Sequence, residues 1–256
     1  MSEAHDLVRE QFGAHAKEYA TSPVHAQGGS LARLVELTQP QATWLMLDVS
    51  TGAGHTAFTF APHVARVIAT DLTPQMLDAA RTLAVERGVT NVEFRPADAQ
   101  DLPFEANVFD LVTNRIALHH YPEARKAIEE MVRVCKSDGA VALVDNVVPP
   151  EEETGGYINQ FERLRDPSHH RAYPVAHLEA FFVEAKLKLA QSETMLKHME
   201  FEPWARRMGA SEDTKARLRR MLLEAPDPVR DFLMPRTENG RLLFTLTEAV
   251  IIGRRD

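Results

Sequence analysis

The residues best suited to chemistry fall in three places. The first is the turn Asp48-Val49-Ser50-Thr51-Gly52-Ala53-Gly54, which follows the apolar run Leu45-Met46-Leu47. Gly52 and Gly54 let the backbone turn sharply and let a ligand approach it closely. N–H groups at the start of a following helix would point into the same space. The second place is a pair of acids that close later apolar runs. Asp71 ends Arg66-Val67-Ile68-Ala69-Thr70 and stands 17 positions after Gly54, close to the spacing at which an acid reaches a ribose hydroxyl pair. Asp98-Ala99 follows Asn91-Val92-Glu93-Phe94-Arg95-Pro96-Ala97. The third is Asn114-Arg115-Ile116-Ala117-Leu118-His119-His120-Tyr121, the most chemically loaded segment of the chain. An unperturbed imidazole titrates near neutral pH, so His119 and His120 are the candidates for proton transfer. Adjacent residues on an extended segment point to opposite sides, so only one of the two is expected to face a ligand.

Other chemistries are excluded by composition. The single cysteine, Cys135, allows no disulfide within the chain, no cluster-bound radical mechanism and no thiolate-rich zinc site. It falls among Met131, Val132 and Val134 on an expected helix and reads as a small buried hydrophobe. His119, His120, His169 and His170 form two pairs with Asp145 between them in sequence, but pairs so far apart have no fixed metal-ligand spacing, and no metal is expected. Arg163, Arg165 and Arg171 could clamp a carboxylate or phosphate on a substrate.

The net charge is −8; the first 200 residues carry −10 and the remainder +2. An acidic main body argues against nucleic acid as a partner. No apolar run approaches the roughly 18 residues that a membrane span needs. Met1–Asp6 lacks a basic stretch followed by an apolar one, so a cytoplasmic location is expected.

The elements that must position these residues are legible from pattern. Thr43–Val49, Arg66–Asp71, Asn91–Ala97, Phe109–Asn114 and Ala140–Val148 read as strands, with helices between them. Thr73-Pro74 reads as an N-cap and first helical residue, and Gly88 as a left-handed stop. Gly139 reads as the cap of a helix carrying Ile128, Met131 and Cys135. The segment 1–40 is expected to form an amino-terminal helical cap over a domain of residues 41–256. A helical pair at about 201–240 interrupts that domain between a sixth strand, Leu187–Met199, and a last one, Arg241–Gly253.

On the run Leu47-Asp48-Val49-Ser50-Thr51-Gly52-Ala53-Gly54, with Asp71 and Asp98-Ala99, the chain resembles the class I S-adenosylmethionine-dependent methyltransferases. Within them it is most similar to the small-molecule branch that includes the quinone-biosynthesis C-methyltransferases. The resemblance covers residues 10–150 well. It implies an α/β fold: a Rossmann-like, doubly wound, seven-stranded, mostly parallel sheet whose last strand is antiparallel. It implies S-adenosylmethionine as cofactor and S-adenosylhomocysteine as product. By position in the family motifs, the cofactor would be held by Asp48, Ser50, Thr51, Gly52, Gly54, Asp71, Leu72, Met76, Asp98, Ala99 and Asn114. Asp98 would accept from the adenine amino group. Tyr19, His25 and Arg165 are the expected acceptor-pocket residues.

One departure is Ser50, where the family usually has a glycine; a serine there is expected to avoid positive φ. The distinctive tyrosine-aspartate arm of the quinone enzymes is absent, since Ala20 follows Tyr19. The Asn/Asp-Pro-Pro-aromatic run of amino-methylating nucleic-acid enzymes is replaced by Thr113-Asn114-Arg115-Ile116. The expected activity is therefore methyl transfer to a small molecule at oxygen, nitrogen or carbon, by in-line displacement. Methylation of a quinone precursor and non-catalytic cofactor binding are the alternatives, and the resemblance leaves a homodimer open.

Overall fold

Alternating apolar residues on both faces of its strands bury the central sheet between two helical layers. The computed structural model describes residues 3–20 and 28–255. After helices α1 (Glu3–Ala14), α2 (Ala16–Ala20) and α3 (Gly29–Thr38), the chain alternates β1 (Leu45–Val49), α4 (His55–Phe60), β2 (Arg66–Asp71), α5 (Pro74–Glu86), β3 (Val92–Pro96), β4 (Phe109–Arg115), α6 (Ala124–Val134) and β5 (Cys135–Val147). Then come α7 (Glu152–Arg165), α8 (Val175–Glu184) and β6 (Leu187–Glu200), three short helices α9 (Phe201–Arg206), α10 (Glu212–Leu223) and α11 (Asp227–Leu233), and β7 (Arg236–Glu238) and β8 (Arg241–Arg255).

The sheet order is β3-β2-β1-β4-β5-β8-β6, with the short β7 paired to β8. The pairs from β3 to β5 are parallel, and β8 runs antiparallel to both β5 and β6. The expected mostly parallel α/β sheet with an antiparallel last strand is what forms, and β7 is an addition to it. On one face Leu47, Val112, Leu143 and Ile251 pack with Ile128 and Met131 of α6 and Phe182 of α8. On the other, Met46, Leu111, Ala142 and Val250 pack with Leu34 of α3 and Ala57 and Phe60 of α4. A third cluster joins α7 and α9–α11 to β8, where the Trp204 ring stacks on Phe161 at 5.0 Å and meets Phe244 edge-on.

Several local expectations are corrected. Gly139 caps no helix. The helix ends at Val134, Cys135 begins β5, and Gly139 lies inside that strand. A side chain at 139 would stand 2.6 Å from Cys135 Sγ and 2.9 Å from the Asp110 carbonyl, so close backbone approach is what glycine serves there. The stretch expected as a helical pair is three short helices. Thr73 does occupy the N-cap of α5 ahead of Pro74, but its hydroxyl makes no cap bond; its N–H instead donates to Asp71 Oδ1. Gly88 ends α5 at φ +65° as the pattern implies. His25 lies outside the described residues.

Candidate active site

The site is built at the carboxyl ends of β1, β2, β4 and β5, where a doubly wound sheet opens. β1 ends in a turn with three positive φ angles: Ser50 at 54°, Gly52 at 55° and Gly54 at 89°. The expectation that Ser50 avoids this region is wrong. Thr51 N–H donates to the Thr70 carbonyl at 2.8 Å, and Ser50 Oγ and Tyr121 Oη share a 2.6 Å hydrogen bond, so backbone and side chain together hold the left-handed conformation. For a residue with a Cβ that conformation costs about 1–2 kcal/mol. Gly54 makes room for the Phe58 ring, 2.6 Å from where its Cβ would lie.

Asp71, at the end of β2, accepts from Gly52 N–H at 2.8 Å and Thr73 N–H at 2.9 Å, which ties the glycine turn to the next strand. Burial raises its pKa, opposed by these N–H donors. Asp98 accepts from Gln100 N–H, and His5 of α1 reaches both residues, at 3.4 Å to Asp98 and 3.0 Å to Gln100.

One cavity, with an empty volume of about 1250 Å³ including its open mouth, is walled on one side by Ser50, Thr51, Gly52, Asp71, Leu72 and Met76, with Asp98 and Ala99 beyond them. On another side it is walled by Tyr19, His119, His120, Arg165, Trp204 and Arg207. Val8, Phe12 and Tyr19 of α1 and α2 form part of the lining, so the amino-terminal helices cover it.

Three sequence-expected residues do not line this cavity. Asp48 is buried beneath the turn, where Thr51 Oγ1 and Thr113 Oγ1 each donate to it at 2.6 Å. Burial pushes its pKa up to about 6 against the pull of those hydroxyls. Gly54 shapes the turn from behind. Asn114 is buried between strands, donating to the Val49 carbonyl at 2.9 Å and to Tyr121 Oη at 2.8 Å. All three support the residues that reach the cavity. Of the arginines expected as a clamp, only Arg165 lines it. Arg163 binds the carbonyls of His169 and His170, and Arg171 lies over the Tyr173 ring.

Both histidines face the cavity, contrary to the alternation expected of an extended segment. Leu118–His120 is a 3-10 turn, and its tight winding brings the two rings to 4.1 Å between centroids. Entry into that turn passes through Ile116, a β-branched residue at φ +55°. Asp145, from β5, accepts from His119 Nδ1 at 2.6 Å and from His119 N–H at 2.9 Å. The loop after α7 closes on the same residue, with His170 and Arg171 N–H both donating to the His119 carbonyl at 2.9 Å.

Burial works against a charged His119, but the Asp145 carboxylate outweighs it and raises the pKa above the ordinary imidazole value. Burial and the neighbouring His119 charge push His120 down to about 4. His169, with its ring 5.3 Å from His119 and its Nε2 on Asn159 Oδ1, is also shifted down, by burial first. Of the three rings, His119 is therefore the one that takes up an added proton most readily. Among the described residues no group of His, Cys, Asp and Glu is arranged to hold a metal ion, and no helix is long and apolar enough to cross a membrane.

The sequence named Tyr121 and Asp145 without their roles: Tyr121 joins the turn to β4, and Asp145 holds His119. Sequence reasoning missed the wall residues Lys197, Trp204 and Arg207. Asp145 carried a signal, as an acid at the end of an apolar strand. The wall residues carried none, because they reach the cavity only through the packing of α9 and β6.

Residues 47–143 match the family described as "Methyltransferase domain". The uncharacterized methyltransferase YcgJ of Bacillus subtilis is 34% identical over 242 residues, covering 94% of this chain and 96% of its own. Its crystal structure superposes with a TM-score of 0.84 over 88% of this chain and 97% of its own. A putative methyltransferase of Bacillus halodurans, 33% identical, gives the same TM-score over 89% of this chain and 99% of its own. The ubiquinone/menaquinone biosynthesis C-methyltransferase UbiE of Zymomonas mobilis is 34% identical over 119 residues, 44% of this chain and 49% of its own.

Proposed function

The chain belongs to the class I S-adenosylmethionine-dependent methyltransferases, and from that premise we propose that it methylates a small-molecule acceptor whose nucleophilic atom carries a proton that His119 removes. The observation that supports this reading best is the enclosure, in one cavity, of the glycine turn with its strand-end acids and of an imidazole held by a buried carboxylate.

The donor set fits the cofactor. Asp71 would take the ribose hydroxyls, Asp98 the adenine amino group and the Ala99 N–H the adenine ring. Leu72 and Met76 offer apolar surface to that ring, and Ser50, Thr51 and Gly52 line the space for the amino-acid tail. S-adenosylmethionine supplies a methyl group already activated on its sulfonium, so proximity and alignment are the protein's main contributions. Asp48, Gly54 and Asn114 hold the turn in shape without reaching the ligand, and Tyr19 closes the chamber over it.

The proton is the remaining demand. With His119 Nδ1 engaged by Asp145, Nε2 is the ring nitrogen left to accept a proton from an acceptor hydroxyl, amine or acidic carbon. Asp145 then faces an imidazolium, which it stabilises. His120, held neutral, adds no competing charge. A protein that only stored the cofactor would gain nothing from this buried pair. Similarity to the quinone enzyme spans less than half of this chain. It carries no argument about the acceptor wall built by α9 and β6.

Calorimetric titration tests the reading. S-adenosylmethionine and S-adenosylhomocysteine should both bind, NAD should not, and Asp71→Ala should weaken both sulfur ligands. Failure of both to bind, or a preference for NAD, overturns it.

A further inference from the structure

Four cationic side chains line the acceptor side of the cavity: Arg115, Arg165, Lys197 and Arg207. Three have partners. Lys197 Nζ pairs with Glu248 at 2.7 Å, Arg115 Nε donates to Thr56 Oγ1 at 3.1 Å, and Arg165 Nη2 reaches Glu162 at 3.3 Å. Arg207, directly after α9, has no carboxylate within ion-pair distance among the described residues. Arg165 is also incompletely satisfied, since its Nε is buried without a hydrogen-bond partner. The Arg165 guanidinium lies over the Trp204 ring at 4.6 Å, which fixes its plane. The two guanidinium groups stand close enough to repel each other, and both act on Tyr19.

Two like charges are thus held on one partly buried wall, one of them without a counter-charge. That arrangement is unfavourable unless an anion is taken up between them. The wall also carries Asp166, whose Oδ1 is engaged by Ser168 N–H at 2.9 Å and Ser168 Oγ at 2.6 Å. A second negative charge on the ligand would meet that carboxylate, so the site suits a monoanion. A planar fork suits a planar carboxylate. Phe12, Trp204 and Leu246 complete the lining with apolar surface for the rest of the molecule.

We propose that Arg207 and Arg165 form a carboxylate-recognition site, so that the methyl acceptor is a small molecule with an apolar body and one carboxylate. The proposal rests on reading this side of the cavity as the acceptor chamber, and its test separates the two. Protein saturated with S-adenosylhomocysteine is titrated with benzoate, benzamide and phenyl phosphate, with binding followed by ligand-observed NMR. Benzoate should bind about tenfold or more tighter than benzamide, the order expected for a charge-assisted hydrogen bond. It should also bind more tightly than phenyl phosphate.

Arg207→Gln should remove the benzoate preference, Arg207→Lys should keep part of it, and the exposed Arg230→Gln should leave it unchanged. Thermal melts show whether each variant is folded, and the lysine variant keeps the test open if the glutamine one is not. Equal binding of acid and amide, tighter binding of the phosphate, no binding of benzoate, or a preference that survives Arg207→Gln overturns the proposal. Loss of S-adenosylhomocysteine binding by the wild-type protein would instead overturn the methyltransferase reading.

Discussion

Replacing Asp145 with asparagine should cost most at acidic pH. The carboxylate accepts three N–H groups: His119 Nδ1 at 2.6 Å, His119 N at 2.9 Å and Asn146 N at 2.7 Å. An asparagine side chain has one oxygen to offer and places its own NH2 against one of those donors. When His119 is protonated, the variant also leaves an imidazolium buried without its counter-charge, and breaking such a pair costs about 3–5 kcal/mol. When His119 is neutral only hydrogen bonds to a charged acceptor are lost, about 1.5–3 kcal/mol. The sign follows from the raised folded-state pKa of His119. Its stabilisation is fully present below the unfolded value, near 6.5, and is lost as pH rises through the folded value. Urea denaturation of wild type and Asp145→Asn at about pH 5.5 and pH 8.5 should therefore give a larger difference at the lower pH, by about 2 kcal/mol. The same shift should show in turnover. Neutral His119 is the active form, so the wild-type rate climbs with pH through the raised pKa. In the variant the climb should begin at lower pH and level off about 100-fold lower or more. A stability cost no greater at pH 5.5 than at pH 8.5, with an unmoved rate profile, would refute the imidazolium–carboxylate pairing.

Three further outcomes follow from local geometry. Ser50→Gly relieves a left-handed residue but loses the bond to Tyr121, which keeps Asn114. Ser50→Ala loses the bond without the relief, so alanine should be less stable than glycine by about 1 kcal/mol or more in urea denaturation. Asp48→Asn should gain stability relative to wild type as pH rises from about 4 to 6. A carboxyl whose folded pKa is raised to about 6 stabilises the protein below its unfolded value and loses that contribution as it ionises, which pH-dependent melts of the two proteins would read. Cys135, buried with its thiol pushed up to about 12, should resist alkylation by iodoacetamide in the folded chain and react once unfolded, as mass spectrometry would count.

The frame of the fold and the glycine turn with its strand-end acids were legible because they depend on short-range patterns. Apolar runs ending in Asp48, Asp71 and Asp98 mark the strands, and Gly52 and Gly54 mark the turn. The errors arose where a local rule met a tertiary override. Ser50 takes positive φ because Thr70 and Tyr121 hold it there, and neither is near in sequence. The two histidines share a side because the chain tightens into a 3-10 turn after the strained Ile116, which no periodicity announces. Gly139 looked like a stop and serves instead as the point where β5 passes the Asp110 backbone. Tyr19, His119 and Arg165 were named from the sequence, but their meeting with Arg207 on one cavity was not legible, because the four come from distant segments and only packing brings them together.

In chain order β8 is the last strand, yet in space it stands between β5 and β6, paired from Val147↔Thr247 to Ala140↔Arg254 on one side and from Glu200↔Leu243 to Leu187↔Arg255 on the other. A ribosome releases β1 to β5 in an order that lets each find a neighbour already made. β6 has no partner strand until Arg241–Arg255 emerges. The glycine-turn wall of the cavity can therefore assemble early in synthesis, while Lys197 on β6 and Leu246 on β8 take their places only when the final strand slots in. A chain interrupted before β8 would carry Lys197 on an unpaired strand and lack Leu246, so the cavity is completed only at the last step of the protein's own making.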